Sequence, residues 1–463
     1  MATDFGFTQI HELAEAYRRG DASPVEVVDS LLDRIERLDA KLGAWQVVYA
    51  DEARQAARAA EAAIRSGHRI GPFHGVPFAL KDIVDLEGRI TTGGSEAMRD
   101  RVSPTTATIA RRLTAAGGVL IGKTKTVEVA MGGWGTNQRM GTPWNPWDAE
   151  VKRTPGGSSS GSGVAVAAGM AACAVGTDTG GSVRLPASWC GIVGLKVTEG
   201  RLPTDGILPL SHTLDTPGPM TRGVMDAVQM FEVMDGRHPA DTEADWLAGD
   251  GLFAMLTRGI AGLRLGSLPD AERAAVDAET LRLYDASLAT LAGLGAEIAP
   301  FAPPLSFDAL KDGSGILIAS EGYHHQGWLY EQNADSVDED VRPRIMGGRE
   351  IGAKAYIAAC LRRKQDQADF LAHMRGFDAV LTPTTPTAAV PVDTVDQTST
   401  PAHFTRAANY LGMCGLSLPN GLTSDGLPGS LQIMARPHDE AMAIRVGAAF
   451  EAAIDPIGRP PMA

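Results

Sequence analysis

Residues 152–200 read KRTPGGSSSGSGVAVAAGMAACAVGTDTGGSVRLPASWCGIVGLKVTEG, and the reading of the whole chain starts from them. Two glycine-rich clusters, Gly156 to Gly161 and Thr177 to Ser182, flank a run of small apolar residues from Val164 to Val175. Glycine reaches backbone angles closed to other residues, so Gly156-Gly157 and Gly180-Gly181 mark tight turns whose amides can come close to a ligand. Val164 to Ala172 is long enough for two helical turns, and its Ala and Gly side chains let it lie nearly backbone against backbone in a core. Ser182 sits on the second turn, where neighbouring N–H groups can converge on one point. That is the arrangement an oxyanion needs.

Working outward, the segment Val76 to Asp82 predicts a short apolar strand that delivers Lys81 to its end. Residues 105–127 predict a helix, a Gly117-Gly118 stop and a strand at Val119 to Ile121. Gly259 to Pro300 predicts strand, helix and strand, a βαβ unit, at Leu263 to Leu268, around Leu281 to Leu291 and from Ala296. Such alternation indicates α/β layering. Residues 8–66 predict three helices, the second opened by a capping box at Ser23, Pro24 and Glu26. Residues 301–375 read as helical, Asp378 begins a strand that runs into the proline-rich LTPTTPTAAVP, Gly426 to Met434 closes the sheet, and Glu440 to Ile454 is a final helix.

Two literal motif matches fail on their context. Gly117, Gly122, Lys123 and Thr124 fit the phosphate-loop pattern, but Gly118 to Ile121 has the composition of a strand where that loop must turn. Gly157, Ser159 and Gly161 fit a nucleophile elbow, yet Glu150, Lys152, Arg153 and Pro155 precede them in place of a buried apolar strand. A histidine-based triad using His403 or His438 is therefore the weaker reading.

The two glycine clusters, with Gly75, Val76 and Pro77 leading to Lys81, resemble the amidase signature family of serine hydrolases. The resemblance runs from about Leu31 to Met434 and is specific between Gly75 and Thr198. It implies one large mixed β-sheet core covered by helices on both faces, an α/β fold. It implies a single amidase domain over residues 1–463: an N-terminal helical part at 1–70, a signature core at 71–230, a variable helical part at 231–375 and a C-terminal return at 376–463.

Position by position, the resemblance makes Ser182 the nucleophile, Ser158 a serine in a cis peptide and Lys81 the base. The amides of Thr179, Gly180, Gly181 and Ser182 become the oxyanion hole. Met131, Gly132, Gly133 and Trp134 become pocket wall, and Tyr323, His324, His325, Trp328 and Tyr330 fall in the variable part over the substrate channel. Arg184 has two readings, a ligand for a substrate carboxylate or a pin for the turn through a carboxylate partner. No metal or organic cofactor is required.

A serine hydroxyl needs a base to become a nucleophile, and a lysine serves only when uncharged. Burial among Phe78, Leu80 and the glycine loops drives Lys81 that way, while Asp82 and Asp178, if close to it, oppose it.

The remaining composition narrows the setting. Lys plus Arg is 42 and Asp plus Glu is 56, a formal charge of −14 with no basic run, which disfavours nucleic acid and anionic membranes as partners. Cys173, Cys190, Cys360 and Cys414 form no CxxC pair, and the first two read as buried thiols. The N-terminus lacks the pattern of a signal peptide and no apolar run reaches membrane length, so the expected location is cytoplasmic.

The leading expectation is a hydrolase acting on C–N bonds of small amides, with aryl amides, carbamates or esters as further substrate classes, working as a monomer or homodimer. A second reading is the glutamine-hydrolysing subunit of a tRNA-dependent amidotransferase. A third is a catalytically inert scaffold on the same fold.

Overall fold

The computed structural model describes residues 4–68, 71–236 and 251–463. The expected boundary after residue 70 and part of the segment 231–375 lie outside them.

In chain order the strands are β1 (Trp45–Val48), β2 (Pro77–Lys81), β3 (Val119–Thr124), β4 (Cys173–Asp178), β5 (Val193–Lys196) and β6 (Thr216–Thr221). They continue as β7 (Arg264–Ser267), β8 (Glu297–Pro300), β9 (Ala379–Pro383), β10 (Cys414–Leu422) and β11 (Pro428–Ala435). All join one sheet in the order β1-β3-β2-β4-β6-β5-β10-β11-β9-β7-β8. The sheet is mixed: β2 runs parallel to β3 and β4, and β7 to β8 and β9, while the central pairs are antiparallel.

Strand parity explains why helices cover both faces. Along β2, Phe78 and Leu80 enter one apolar cluster, shared with the helix Val224–Met234. Ala79, between them, enters the other with Val28, Leu32, Ala53, Ala57 and Val164 from three further helices. Those helices are Pro24–Leu42, Ala50–Arg65 and Ser160–Ala167. The capping box at Ser23 forms as expected, with the Ser23 side chain accepting from the Glu26 amide.

Two local expectations shift. The helix expected over Val164 to Ala172 occupies Ser160–Ala167, and Gly169 at φ +67° turns the chain into β4. It can begin among serines because Ser162 finds buried partners, the Thr124 hydroxyl at 2.7 Å and the Val175 carbonyl at 3.2 Å. The expected opposition of Asp82 to neutralisation of Lys81 does not arise through contact, because the two are consecutive and point to opposite sides. The Asp82 carboxylate instead pairs with Lys123 at 3.1 Å, both groups buried, and Lys123 also reaches the Ile90 carbonyl. Val119–Thr124 is strand, in keeping with the rejection of the phosphate-loop match. Among the described residues no helix is long and apolar enough to cross a membrane.

Removing one member of a buried ion pair leaves the other charge unsolvated, which costs about 3–5 kcal/mol. Lys123→Met should therefore lower unfolding stability by that order in urea titration, and a loss below about 1 kcal/mol would show that the Asp82 pair is not holding β2 against β3.

Candidate active site

Parallel pairing of β2 and β4 places Leu80 beside Val175, so Lys81 emerges at the carboxyl end of β2 next to Thr177. Its amine donates to Ser158 Oγ at 2.7 Å and to Thr177 Oγ1 at 2.8 Å. Lys81 is fully buried. Burial lowers its pKa from 10.5 to about 7, against the pull of Asp215 and Asp178 toward the charged form.

The Ser158 loop is set from both sides. The Gly157–Ser158 peptide is cis. The Gly157 amide donates to the Gly133 carbonyl at 2.7 Å, and the Ser158 carbonyl accepts from Val127 N and Thr126 Oγ1. A Cβ on Gly157 would stand 2.6 Å from the Gly132 carbonyl oxygen, so this approach requires glycine. Ser159 is tied to the backbone of Thr177, donating to its carbonyl at 3.3 Å and accepting from its amide at 3.2 Å. It is a loop serine, and neither downstream histidine is bonded to it. His403 contacts Asp308, and the His438 amide donates to Thr198.

The turn that carries Ser182 is organised by Asp178 and Arg184, both 0% exposed. Arg184 donates Nε to Asp178 Oδ2 at 3.0 Å and Nη2 to Oδ1 at 2.9 Å, and its remaining donors reach Gln432 and Asn409. Burial alone would push the Asp178 carboxyl up, but Arg184, Lys196 and Asn409 hold it well below the usual carboxylate range. Arg184 thus departs from the substrate-ligand reading: its donors are already engaged inside the protein.

Asp178 also accepts from the amides of Gly181 at 2.7 Å and Val183 at 3.2 Å. The Gly181 amide is consequently already donated. Among the described residues no acceptor is found for the amides of Thr179, Gly180 and Ser182, which leaves them available to an anion. Gly181, at φ +131°, lies against the Thr405 hydroxyl, where a Cβ would clash.

A small cleft opens here, sharing Thr177 with Lys81. Ile83, Ala130 and Leu210 give it an apolar wall, and Thr177, Thr179 and Asp215 a polar one. Asp215 accepts from Thr179 Oγ1 at 2.5 Å and from the amides of Leu210 and Ser211 at 2.9 Å each. Burial raises its pKa from 3.8 to about 6 in spite of those bonds. Asp215 and Thr177 escape the reading of the sequence. Thr177 lies inside the quoted stretch, but Asp215 stands 33 residues beyond Ser182 in a segment without periodicity, and only the β4–β6 pairing brings it in.

The Met131 to Trp134 segment packs on the Ser158 loop through Gly132 and Gly133, with Trp134 stacked on Trp189 at 5.6 Å between ring centroids. Of the aromatic residues expected over the channel, Tyr330 is buried and donates to Glu128, while Trp328 is 47% exposed. Cys173 and Cys190 are buried thiols, as expected.

The chain belongs to the amidase family, which it matches over residues 26–444. Relatives similar to it along nearly their whole length are enzymes acting on C–N bonds, and this chain is a C–N hydrolase of that family. One is a subunit of the glutamyl-tRNA(Gln) amidotransferase from Geobacter metallireducens, 35% identical over 96% of each chain. Another is the 2-amino-5-chloromuconic acid deaminase of Comamonas testosteroni, 34% identical over 96% of this chain and 95% of that one. The solved peptide amidase of Stenotrophomonas maltophilia superposes with a TM-score of 0.84 at 28% identity, covering 98% of this chain and 99% of the amidase.

If Arg184 serves the turn, Arg184→Gln should unfold at markedly lower denaturant, by about 3–5 kcal/mol, because Asp178 is left buried and unpaired. A normally stable variant with a selectively raised KM would restore the substrate-ligand reading.

Proposed function

We propose that Ser182 is the nucleophile of an acyl-enzyme hydrolysis of small amides, with Ser158 as proton relay and Lys81 as base. The observation that carries this is the buried Lys81 amine hydrogen-bonded to Ser158 at 2.7 Å. Ser182 Oγ attacks the amide carbonyl while its proton passes to Ser158, whose own proton passes to Lys81. The amides of Thr179, Gly180 and Ser182 receive the developing oxyanion. As the C–N bond breaks, Lys81 returns the proton through Ser158 to the leaving nitrogen. Water then attacks the acyl-enzyme by the same relay, freeing the acid and restoring Ser182. Met131 to Trp134 serve as wall on the acyl side.

A second reading keeps this chemistry and makes the chain the part of an amidotransferase that draws ammonia from glutamine. The amidotransferase relatives, similar along nearly the whole chain, favour it over a free-standing amidase. In that case the expected absence of nucleic acid among the partners applies to this chain's own surface and not to the assembly. The two readings separate on glutamine: ammonia release from it by the purified chain, increased by partner subunits, supports the second, whereas turnover of simple amides with none from glutamine supports the first.

Ser182→Ala should abolish turnover and labelling by a fluorophosphonate, and Lys81→Met should reduce kcat by orders of magnitude. Normal rates in either variant would end the mechanism, and an unlabelled wild type would favour an inert scaffold.

The pH dependence follows from the base. With the free amine required and a pKa of about 7, kcat/KM should rise with pH, close to tenfold per unit below 7, and level off above about 8. A profile flat from pH 5.5 to 8.5 would exclude Lys81 as the titrating base.

A further inference from the structure

Arg406 follows Thr405, whose hydroxyl donates to the Gly180 carbonyl at 2.8 Å and so fastens the helix Thr405–Tyr410 to the Ser182 turn. The arginine side chain lies against that turn: the Cβ that Gly180 lacks would stand 3.2 Å from Arg406 Cγ and 3.5 Å from Nε. Among the described residues its guanidinium makes one hydrogen bond, Nη1 to the Lys311 carbonyl at 3.3 Å, and no carboxylate comes within 4 Å. Nε and Nη2 have no acceptor there. Burial lowers its pKa from 12.5 to about 10, with Asp312 acting against this from a distance and the charge of Arg344 adding to it.

Arg344 lies near Asp338 and Asp340, which favour its charge, without an ion pair within 4 Å among the described residues. It donates to the Met131 carbonyl at 3.2 Å and to Gln397, all uncharged groups. Compare Arg184 and Arg363, which are buried and close ion pairs with Asp178 and Glu199. A partly desolvated cation with no carboxylate in contact is costly, so Arg406 beside the Ser182 turn calls for a negative charge supplied from outside.

We propose that this charge is a carboxylate of the substrate, bound by Arg406 through Nε and Nη2, so that the preferred substrates are amides that also carry a free acid. The planar guanidinium fork matches a carboxylate in two parallel hydrogen bonds. For a primary amide the leaving group is ammonia, and the acid therefore belongs to the acyl part. The inference rests on Ser182 as nucleophile, because it is the position of Arg406 over that turn that makes its ligand a substrate. Arg344 supplies field, its Nη1 and Nη2 being engaged by Met131 and Gln397.

The test compares succinamate, glutaramate and adipamate, each with its uncharged diamide, on wild type and Arg406→Gln, with fluorophosphonate labelling of Ser182 as an independent count of competent sites. The wild type should prefer at least one acid over its diamide. That ratio of kcat/KM should fall by roughly ten- to a hundred-fold in Arg406→Gln, the range expected for a hydrogen bond between charged groups. Because the ratio is taken on one protein sample, partial misfolding cancels from it, and Arg406→Lys should recover part of the preference. A labelled wild type that shows no preference for any of the three acids, or an unchanged ratio in Arg406→Gln, overturns the inference and leaves the hydrolase reading standing. A wild type that is not labelled overturns the hydrolase reading itself.

Discussion

The structure depends on a lysine amine held without charge compensation in the middle of the protein. Bringing a lysine from 10.5 to about 7 means a preference for the neutral form on the order of 5 kcal/mol, which burial must supply. Any carboxylate in contact would undo this. Around Lys81 the nearby acids are each dealt with differently: Asp82 faces away and pairs with Lys123, and Asp178 is bonded on both oxygens by Arg184. The partners of Lys81 are instead two hydroxyls, which hydrogen-bond to an amine or an ammonium without fixing its charge. The two buried ion pairs thus have a common effect, leaving desolvation as the dominant influence on the amine.

Asp215 is the acid that remains. Its own elevated pKa shows the same burial acting on a carboxyl, and its effect on Lys81 is coulombic with no hydrogen bond between them. The two groups favour each other's ionised forms while burial favours both neutral ones. The charge of each therefore bears on that of the other.

How much of this the amino-acid order discloses depends on how local each constraint is. Tight turns and close approaches need glycine, and so Gly156 to Gly161 and Thr177 to Ser182 announce themselves. The βαβ unit of β7, the helix Ala278–Gly293 and β8 appears where periodicity put it, with the two strands parallel. By contrast β1, β5, β6 and β10 escape the reading: the first and third of these are short or interrupted by Pro217 and Pro219, and β10 is a run of mixed residues that pairs on both sides. Partnerships across the sheet leave no local trace. The Arg184 network, reaching 225 residues to Asn409 and 248 to Gln432, exists only once β10 and β11 have closed the sheet. A lone arginine near a turn is compatible with either of its two roles until those partners are in place.

The cleft is joined to the helical segment beyond residue 300 through the loop 209–215, and also through Glu128 and Met131, which bond Tyr330 and Arg344, and this bears on how such a site can change substrate while keeping its chemistry. Glu321, on the helix Phe307–Gln332, is buried and accepts from Ser211 Oγ, Thr213 N and Thr213 Oγ1. Arg363, on the helix Ala353–His373, donates to the Thr213 carbonyl. The same loop ends at Asp215, which accepts from Leu210 and Ser211 and from Thr179 on the Ser182 turn. Lys81, Ser158 and Thr177 are held by the β2–β4 pairing and the Gly133 contact. A rearrangement of the two helices therefore reaches the cleft wall through residues 209–215, and the segment that holds the Ser158 loop through Tyr330 and Glu128. The sheet carries the reacting groups, while the loop 209–215 and the helix that bears Arg406 shape the cleft beside them.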